Sequence, residues 1–331
     1  MRQSYNFIAI GDTVTDAFID LHEGGAAHLD IDKGMRELCM RFADKIPYDN
    51  VTVVPAVGNS ANAAVAAARL GLASALVSNV GGDYFGQECL SALKAEKVAA
   101  EFITVHKDIK TNYHYILWYE DDRTILIKHE EYPYHLPDID DPKWVYFSSL
   151  SGNSEEFHRV VLNYLQEHPK IKLAFQPGTF QMKMGLHKLA GLYKRSEVFI
   201  CNKEESQRIL EIDERDIKVL LKKMHDIGPK LVVITDGPKG AYASDGESAW
   251  FMPPYPDPKP PYERTGAGDA FSSTFVVALC LGKSIPEALL WAPINSMSVV
   301  QQVGARAGLL TREQIESYLA KASADYKPKK I

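Results

Sequence analysis

Short apolar runs alternate with polar, glycine-bearing turns along most of this chain. Tyr5–Ile10 ends at Gly11-Asp12, and Val51–Val54 and Ala73–Val80 are further runs of the kind buried strands show. Ser60–Leu70 is alanine-rich and closes on Gly71, which predicts a helix with a glycine C-cap. Gly81-Gly82-Asp83 then turns into a helix ending near Glu96. Residues 113–119 and 124–128 are crowded with aromatic and β-branched side chains on either side of Glu120-Asp121-Asp122-Arg123, a hairpin pattern. Between Asp20 and Asn50 the chain is mostly polar, and Arg36–Phe42 suggests a short helix.

Beyond residue 143 the rhythm changes to strand and helix in turn. Trp144–Ser148, Lys172–Phe175, Glu197–Ile200 and Leu231–Thr235 read as strands, with helices expected over Glu155–Glu167, Met182–Tyr193 and Glu204–Ile227. This alternation predicts an α/β fold in three layers, α/β/α, around a mostly parallel sheet. The last third is helical. Ala270–Leu281 places Phe271, Phe275 and Leu279 at four-residue spacing, and Ser284-Ile285-Pro286-Glu287 is a capping box opening a helix to about Val303. Thr311–Gln314 repeats that signal, and the tail from Lys327 reads as frayed.

Composition narrows the function class. The 331 residues are 46% hydrophobic and 24% charged, which excludes disordered, collagenous and coiled-coil chains. At about 150 residues per domain the length allows two domains or one large one with an appendage. With 37 basic and 43 acidic residues the net charge is −6, so a nucleic acid is a poor partner. No apolar run reaches the ~18 residues a membrane span needs, and no signal-peptide core opens the chain. Cys39, Cys89, Cys201 and Cys280 are too scattered for a zinc site or a disulfide framework. They read as buried thiols of a cytoplasmic protein.

The strongest chemical signal is Thr265-Gly266-Ala267-Gly268-Asp269-Ala270-Phe271. Small residues running into a helix let successive backbone N–H groups point into one concavity, where the helix dipole favours an anion. A first-turn Asp269 is then either plain dipole compensation, worth about 0.3–1 kcal/mol, or a base beside a phosphate hole. On these residues alone the two readings are equal. Other phosphate loops fit worse. Val277 stands where a P-loop ending at Gly282-Lys283-Ser284 needs glycine, and Phe271 stands where a dinucleotide fingerprint does.

Further motifs follow the strands in order. They are Gly58-Asn59-Ser60-Ala61-Asn62, Gly82-Asp83-x-x-Gly86, Asn202-Lys203-Glu204-Glu205, Thr235-Asp236-Gly237-Pro238-Lys239-Gly240 and Gly304-Ala305. In this order and spacing the sequence resembles the ribokinase (PfkB) family of carbohydrate kinases, from about Phe7 to Tyr318. The resemblance implies one kinase domain over residues 1–331, with a small β-sheet lid from about 14–55 and 101–131 inserted in the α/β core. It implies Asp269 as the base that deprotonates an acceptor hydroxyl, and Gly266, Ala267 and Gly268 as the anion hole for the transferring phosphoryl group. Acceptor hydroxyls would fall to Asp16, Gly58, Asn59 and Asn62. Nucleotide contacts would fall to Asn202, Thr235, Gly237, Gly240, Asn295 and Gly304.

ATP is the implied co-substrate, with Mg²⁺ organised through water by Asn202 and Glu205. The family commonly has Asp-Thr-Thr before the glycines, beside a monovalent-cation site. Here Glu263-Arg264-Thr265 stands instead, which puts that cation in doubt. The implied reaction is phosphorylation of a sugar hydroxyl. A nucleoside kinase is the alternative, left open by Tyr113, Tyr115, Trp118 and Tyr119; a sugar-binding regulator without catalysis is a third reading. Lids of several relatives pair into dimers, and the face of Tyr113, Tyr115, Leu117 and Tyr119 would serve for that or as a substrate cover.

Overall fold

Near-continuous apolar strands can only be buried on both faces, and the chain places them at the centre of a ten-stranded sheet. The computed structural model describes residues 4–21, 27–32, 35–120 and 122–331. In chain order, β1 (Phe7–Ile10) is followed by β2 (Val14–Asp20), β3 (Ala27–Asp32), β4 (Met35–Met40) and β5 (Asn50–Val57). Next come α1 (Asn59–Arg69), β6 (Ser74–Gly81), α2 (Tyr84–Ala95), β7 (Ile103–His106), β8 (Tyr113–Tyr119) and β9 (Asp122–Leu126). The alternating part holds β10 (Trp144–Phe147), α3 (Glu155–Glu167), β11 (Lys172–Phe175), α4 (Thr179–Met184), α5 (Leu186–Arg195) and β12 (Ser196–Asn202). It continues through α6 (Lys203–Leu210), α7 (Ile217–Asp226), β13 (Leu231–Thr235), β14 (Ala241–Ser244) and β15 (Ala249–Met252). Three helices, α8 (Ala267–Cys280), α9 (Ile285–Val299) and α10 (Arg312–Ala320), precede the short β16 (Lys329–Lys330).

The large sheet has the order β16-β15-β14-β13-β12-β11-β10-β1-β6-β7. It is parallel from β13 to β7 and antiparallel at β14–β16. One apolar cluster packs α1, α2, α8, α9 and α10 on one face, with Phe275, Trp291 and Ile315 fully or nearly fully buried. A second packs α3, α5, α6 and α7 on the other, around Phe147, Phe175 and Phe199. That is the three-layer α/β/α arrangement. Strand order reverses between β1 and β10, so a crevice opens at the carboxyl ends of the strands there.

A smaller sheet, β5-β2-β8-β9, stands over that crevice. Its β2–β8 pair is parallel and its outer pairs antiparallel. β7 belongs to the large sheet, so the second lid segment begins near residue 113 and not near 101. Parts of the first segment, and Asp121, lie outside the described residues.

Several expected elements change. Arg36–Phe42 is no helix: residues 35–40 form β4, paired antiparallel with β3 so that residue 39 lies opposite residue 28. Good helix propensity yields there to strand pairing. The helix expected over Met182–Tyr193 is two, broken at Gly185 (φ 81°), and that over Glu204–Ile227 breaks after Glu211 in the left-handed region (φ 54°). α9 stops at Val299, short of Val303. The tail from Lys327 is not frayed, because β16 pairs with β15 and the Ile331 N–H donates to the Ala249 carbonyl at 2.9 Å. All four cysteines are free thiols; Cys89 and Cys201 are buried, while Cys39 and Cys280 are only half-buried. No helix of the described residues is long and apolar enough to cross a membrane.

Candidate active site

Two cavities meet at the crevice, one of about 420 Å³ under the smaller sheet and one of about 650 Å³ beside α8 and α9. Gly268 lines both, as do Arg123, Asn202, Thr235 and Arg264. The loop that opens α8 is what separates them. Gly266 adopts φ 83°, and a Cβ there would lie 2.4 Å from the Ala305 Cβ, so only glycine permits this close approach. A Cβ on Gly268 would meet nothing within 4 Å, because that position faces open cavity. From α9 the Ser296 hydroxyl donates to the Ala267 carbonyl at 2.9 Å and fixes the loop from behind.

Asp269, in the first turn of α8, faces the smaller cavity. Asn62 Nδ2 donates to its Oδ2 at 2.8 Å, and Gln176 Nε2 lies 3.3 Å from its Oδ1. Gln176 follows β11 and accepts from the hydroxyl of Tyr146, a buried residue of β10. Desolvation raises the pKa of Asp269 above the ordinary carboxylate range; the Asn62 and Gln176 hydrogen bonds offset this only in part. A base that is half-buried at the cavity wall, hydrogen-bonded and harder to ionise than usual is suited to accept a proton.

The other side of this cavity is polar. Asp16 of β2 sits opposite His114 of β8, with Oδ1 3.3 Å from the imidazole Nδ1. Gly58 and Asn59 at the start of α1, and Asn62 one turn on, complete the wall. Buried atoms without hydrogen-bond partners include Asp16 Oδ1, Asn62 Oδ1 and His114 Nε2. Such groups are costly unless a ligand or water satisfies them. Beneath them His129 Nδ1 lies 3.2 Å from Asp12 Oδ2, and the Tyr134 hydroxyl donates to both Asp12 oxygens.

On the larger cavity, Thr235 ends β13, and Gly237 and Gly240 flank the turn into β14. Asn202 ends β12 and lines both cavities, while Glu205 lines the smaller one. Their side chains close a capping box on α6: Asn202 Oδ1 accepts from the Glu205 N–H and Glu205 Oε2 from the Asn202 N–H, each at 2.8 Å. Burial raises the Glu205 pKa, and the Asp269 charge adds to it. No cluster of three or more His, Cys, Asp and Glu side chains able to hold a metal occurs among the described residues. A magnesium ion here would keep most of its shell as water and phosphate, which suits a site where Glu205 is the carboxylate paired with Asn202 and its charge is disfavoured by burial and by Asp269.

Two expected nucleotide residues lie elsewhere. Asn295 has no exposed surface; its Nδ2 donates to Thr274 Oγ1 at 2.7 Å and its Oδ1 accepts from the Leu310 N–H at 2.9 Å. It ties α8, α9 and the following loop together, and the cavity is met by its neighbours Pro293, Ser296 and Met297. Gly304 packs against Val54 and Phe18, and Ala305 after it lines the smaller cavity. Tyr113, Tyr115, Trp118 and Tyr119 line neither cavity, and half of the Tyr115 surface is exposed.

Sequence reasoning missed Arg123, His114, Gln176 and the proline-rich segment Met252–Asp257, all of which line a cavity. Only the last carried a signal, since the run Pro253-Pro254-Tyr255-Pro256 just before the glycine motif cannot be a helix or central strand.

With this geometry in view, the profile described as pfkB family carbohydrate kinase matches residues 41–312. Ribokinase of Bacillus subtilis is 26% identical over 278 residues, covering 80% of this chain and 87% of that protein. Among solved structures, Arabidopsis thaliana ribokinase complexed with ribose and ATP superposes with a TM-score of 0.80 at 20% identity, covering 97% of this chain and 100% of that one. The Methanocaldococcus jannaschii nucleoside kinase, described as an archaeal member of the ribokinase family, has a TM-score of 0.75 at 18% identity, covering 97% and 100%. At these identities the structures share the fold.

Proposed function

The chain belongs to the pfkB family of carbohydrate kinases, phosphotransferases that act on a sugar hydroxyl, and on that premise we propose how its cleft performs the transfer. ATP occupies the larger cavity with its terminal phosphate at Gly268, and the sugar occupies the smaller one. The acceptor oxygen lies against Asp269, which takes its proton as the oxygen attacks. The backbone N–H groups of Gly266, Ala267 and Gly268 stabilise charge on the moving phosphoryl group. Phosphoryl transfer asks for this positioning and electrostatic support more than for covalent chemistry. The observation that carries the reading is the placement of Asp269, gripped by Asn62 and Gln176, next to the one glycine of its loop that lines both cavities.

Asn202 and Glu205 would hold magnesium through water, and the ion would neutralise phosphate charge as the bond to ADP breaks. A monovalent cation fits less well. Glu263 stands where the family's Asp does, but it has no exposed surface and is ringed by donors: the Thr265 N–H at 2.7 Å, the Gly304 N–H at 3.4 Å and the Arg123 guanidinium. A bare cation needs oxygen ligands in those places, so no step is routed through one.

The acceptor is a small sugar. The smaller cavity is walled mainly by the polar groups of Asp16, Asn62, His114, His129 and Gln176; Phe180, edge-on to His129, is the one Phe, Tyr or Trp among its described lining residues, and Tyr113, Tyr115, Trp118 and Tyr119 do not reach it. The outer face of the smaller sheet, with Val53, Tyr115 and Leu126 about half exposed, supports pairing of two copies. The reading is tested by incubating the protein with ATP, Mg²⁺ and a panel of pentoses, hexoses, phosphosugars and nucleosides. Turnover of a free sugar above all others is expected; preference for a nucleoside or a phosphosugar would reject the assignment.

A further inference from the structure

We propose that Arg306 is a positioning residue that locks the root of the smaller sheet to the loop behind the anion hole; this rests on the kinase reading above. Arg306 lines neither cavity, so it touches neither substrate. It is buried all the same, and a guanidinium out of water needs partners for its N–H groups. Nη2 donates to the Pro55 carbonyl, while Nε and Nη1 are buried with no hydrogen-bond partner. Glu96, whose charge favours the cation, has both oxygens engaged by Arg69 instead. A buried cation held on these terms is a poor device for stability, so its use lies in what it holds.

One end of the lock is the root of the smaller sheet. Pro55 and Ala56 lie where β5 leaves that sheet for Gly58 and α1, which wall the sugar cavity. Ala56 stands in the left-handed region at φ 56°, a conformation that a residue with a Cβ keeps only under constraint. Its N–H donates to the buried Sγ of Cys89 on α2 at 3.2 Å, a weak acceptor, and Thr15 Oγ1 of β2 lies 3.5 Å from the same sulfur. Cys89 thus grips this bend from one side and Arg306 from the other.

The other end is the phosphate side. Ala305 is the residue against which Gly266 of the anion hole packs, and Gly304 meets Val54 and Phe18 of the smaller sheet. The Gly304 N–H also points at Glu263 Oε2, 3.4 Å away, just before the glycine motif. Arg69, closing α1, pins the loop from below, its Nη1 donating to the carbonyls of Arg306 at 3.0 Å and Leu309 at 2.5 Å. Three successive residues therefore touch the smaller sheet or the anion-hole loop, and Arg306 is the one that grips the bend. Sugar is held by Asp16 and His114 of the smaller sheet and by Asn62 and Asp269 of the larger body, so its binding draws the sheet to its seat. Through the lock, the same seating sets Ala305 behind Gly266, where the terminal phosphate arrives. The factor by which sugar tightens ATP must then equal the factor by which ATP tightens sugar.

The test uses the full chain, Mg²⁺, a non-hydrolysable ATP analogue and the sugar that the panel identifies, with binding followed by calorimetry. In the parent, saturating sugar is expected to tighten the analogue about tenfold. In Arg306→Met that factor should drop below about twofold, with affinity for the analogue alone changed by less than about threefold. Arg306→Lys, which can still reach the Pro55 carbonyl with one donor, should fall between. Ala56→Gly leaves every partner of Arg306 in place but frees the bend, so it should weaken the factor without lowering the Tm. A merely structural Arg306 would lower the Tm and leave the factor untouched. The proposal alone is overturned by a factor in Arg306→Met within about twofold of the parent's, or by an active parent in which sugar leaves analogue affinity unchanged. Should Arg306→Met not fold, parent-like factors in both Arg306→Lys and Ala56→Gly overturn it equally. A parent chain that phosphorylates none of the panel overturns the kinase reading and this proposal with it.

Discussion

Asp269 can act as a base only when ionised, and desolvation of its carboxylate resists that. Desolvation holds its pKa above the usual 3.8, so kcat/KM should fall on the acid side at a higher pH than an exposed Asp would dictate. Gln176→Leu removes a hydrogen bond that favours the charged form and should move that limb higher still, read from a pH–rate profile. Asp269→Asn should lower kcat by about 10²–10⁴-fold while ATP binding, followed by calorimetry, is largely kept. Its effect on stability has the opposite sign. A raised folded-state pKa means that Asp269 favours the fold fully below its unfolded pKa, and that this support is lost as pH rises through the raised value. At neutral pH the Asn variant should therefore melt above the parent, and a lower Tm would contradict this account. Asp269 was legible because it sits in an unbroken motif. Asn295 was not, because one step along a helix turns a side chain by about 100°, enough to exchange the cavity seen by Ser296 for the core seen by Asn295.

Elements place these residues, and the loop opening α8 shows how narrowly. Gly266→Ala drives a methyl group into Ala305 and demands a left-handed backbone, so it should lower the Tm as well as activity. Gly268→Ala meets open space and should melt near the parent yet lose most of its turnover, because its methyl group occupies the phosphate path. A circular-dichroism melt beside a rate assay separates the two. At α6 the capping box makes a similar contrast. Glu205→Gln keeps an oxygen for the Asn202 N–H and should hold stability while raising the Mg²⁺ concentration needed for half-maximal rate. Asn202→Ala loses the cap and should cost about 0.5–2 kcal/mol. Central strands such as β10 and β11 were plain in the sequence, being apolar throughout or nearly so. Breaks at Gly185 and Glu211 were hidden, since the flanking residues keep helical spacing and only the left-handed backbone marks the stop. β4 was misread for the opposite reason: its identity depends on a partner strand that local propensity cannot see.

Across the molecule, the two-sheet plan followed from element order, but what the smaller sheet lends to the cleft did not. Arg123 and His114 are an isolated charge and an isolated imidazole in sequence; only the parallel pairing of β2 with β8 and the antiparallel turn into β9 bring them over the crevice. On the outer face, Tyr115→Glu should convert a dimer to a monomer in sedimentation equilibrium, and a parent that is itself monomeric at high concentration would reject that pairing.

The strand β16 bears on handling as much as on architecture. Trp250 and Phe251 of β15 would otherwise present a row of unclaimed backbone donors and acceptors at the rim of the sheet, and two lysines sit across them. Positive charge at such a rim discourages another chain from zipping on. Clipping residues 327–331, or anchoring a purification handle so that they are pulled aside, would leave an adhesive margin, and light scattering should then rise with protein concentration while sugar is still turned over, because none of these residues lines either cavity.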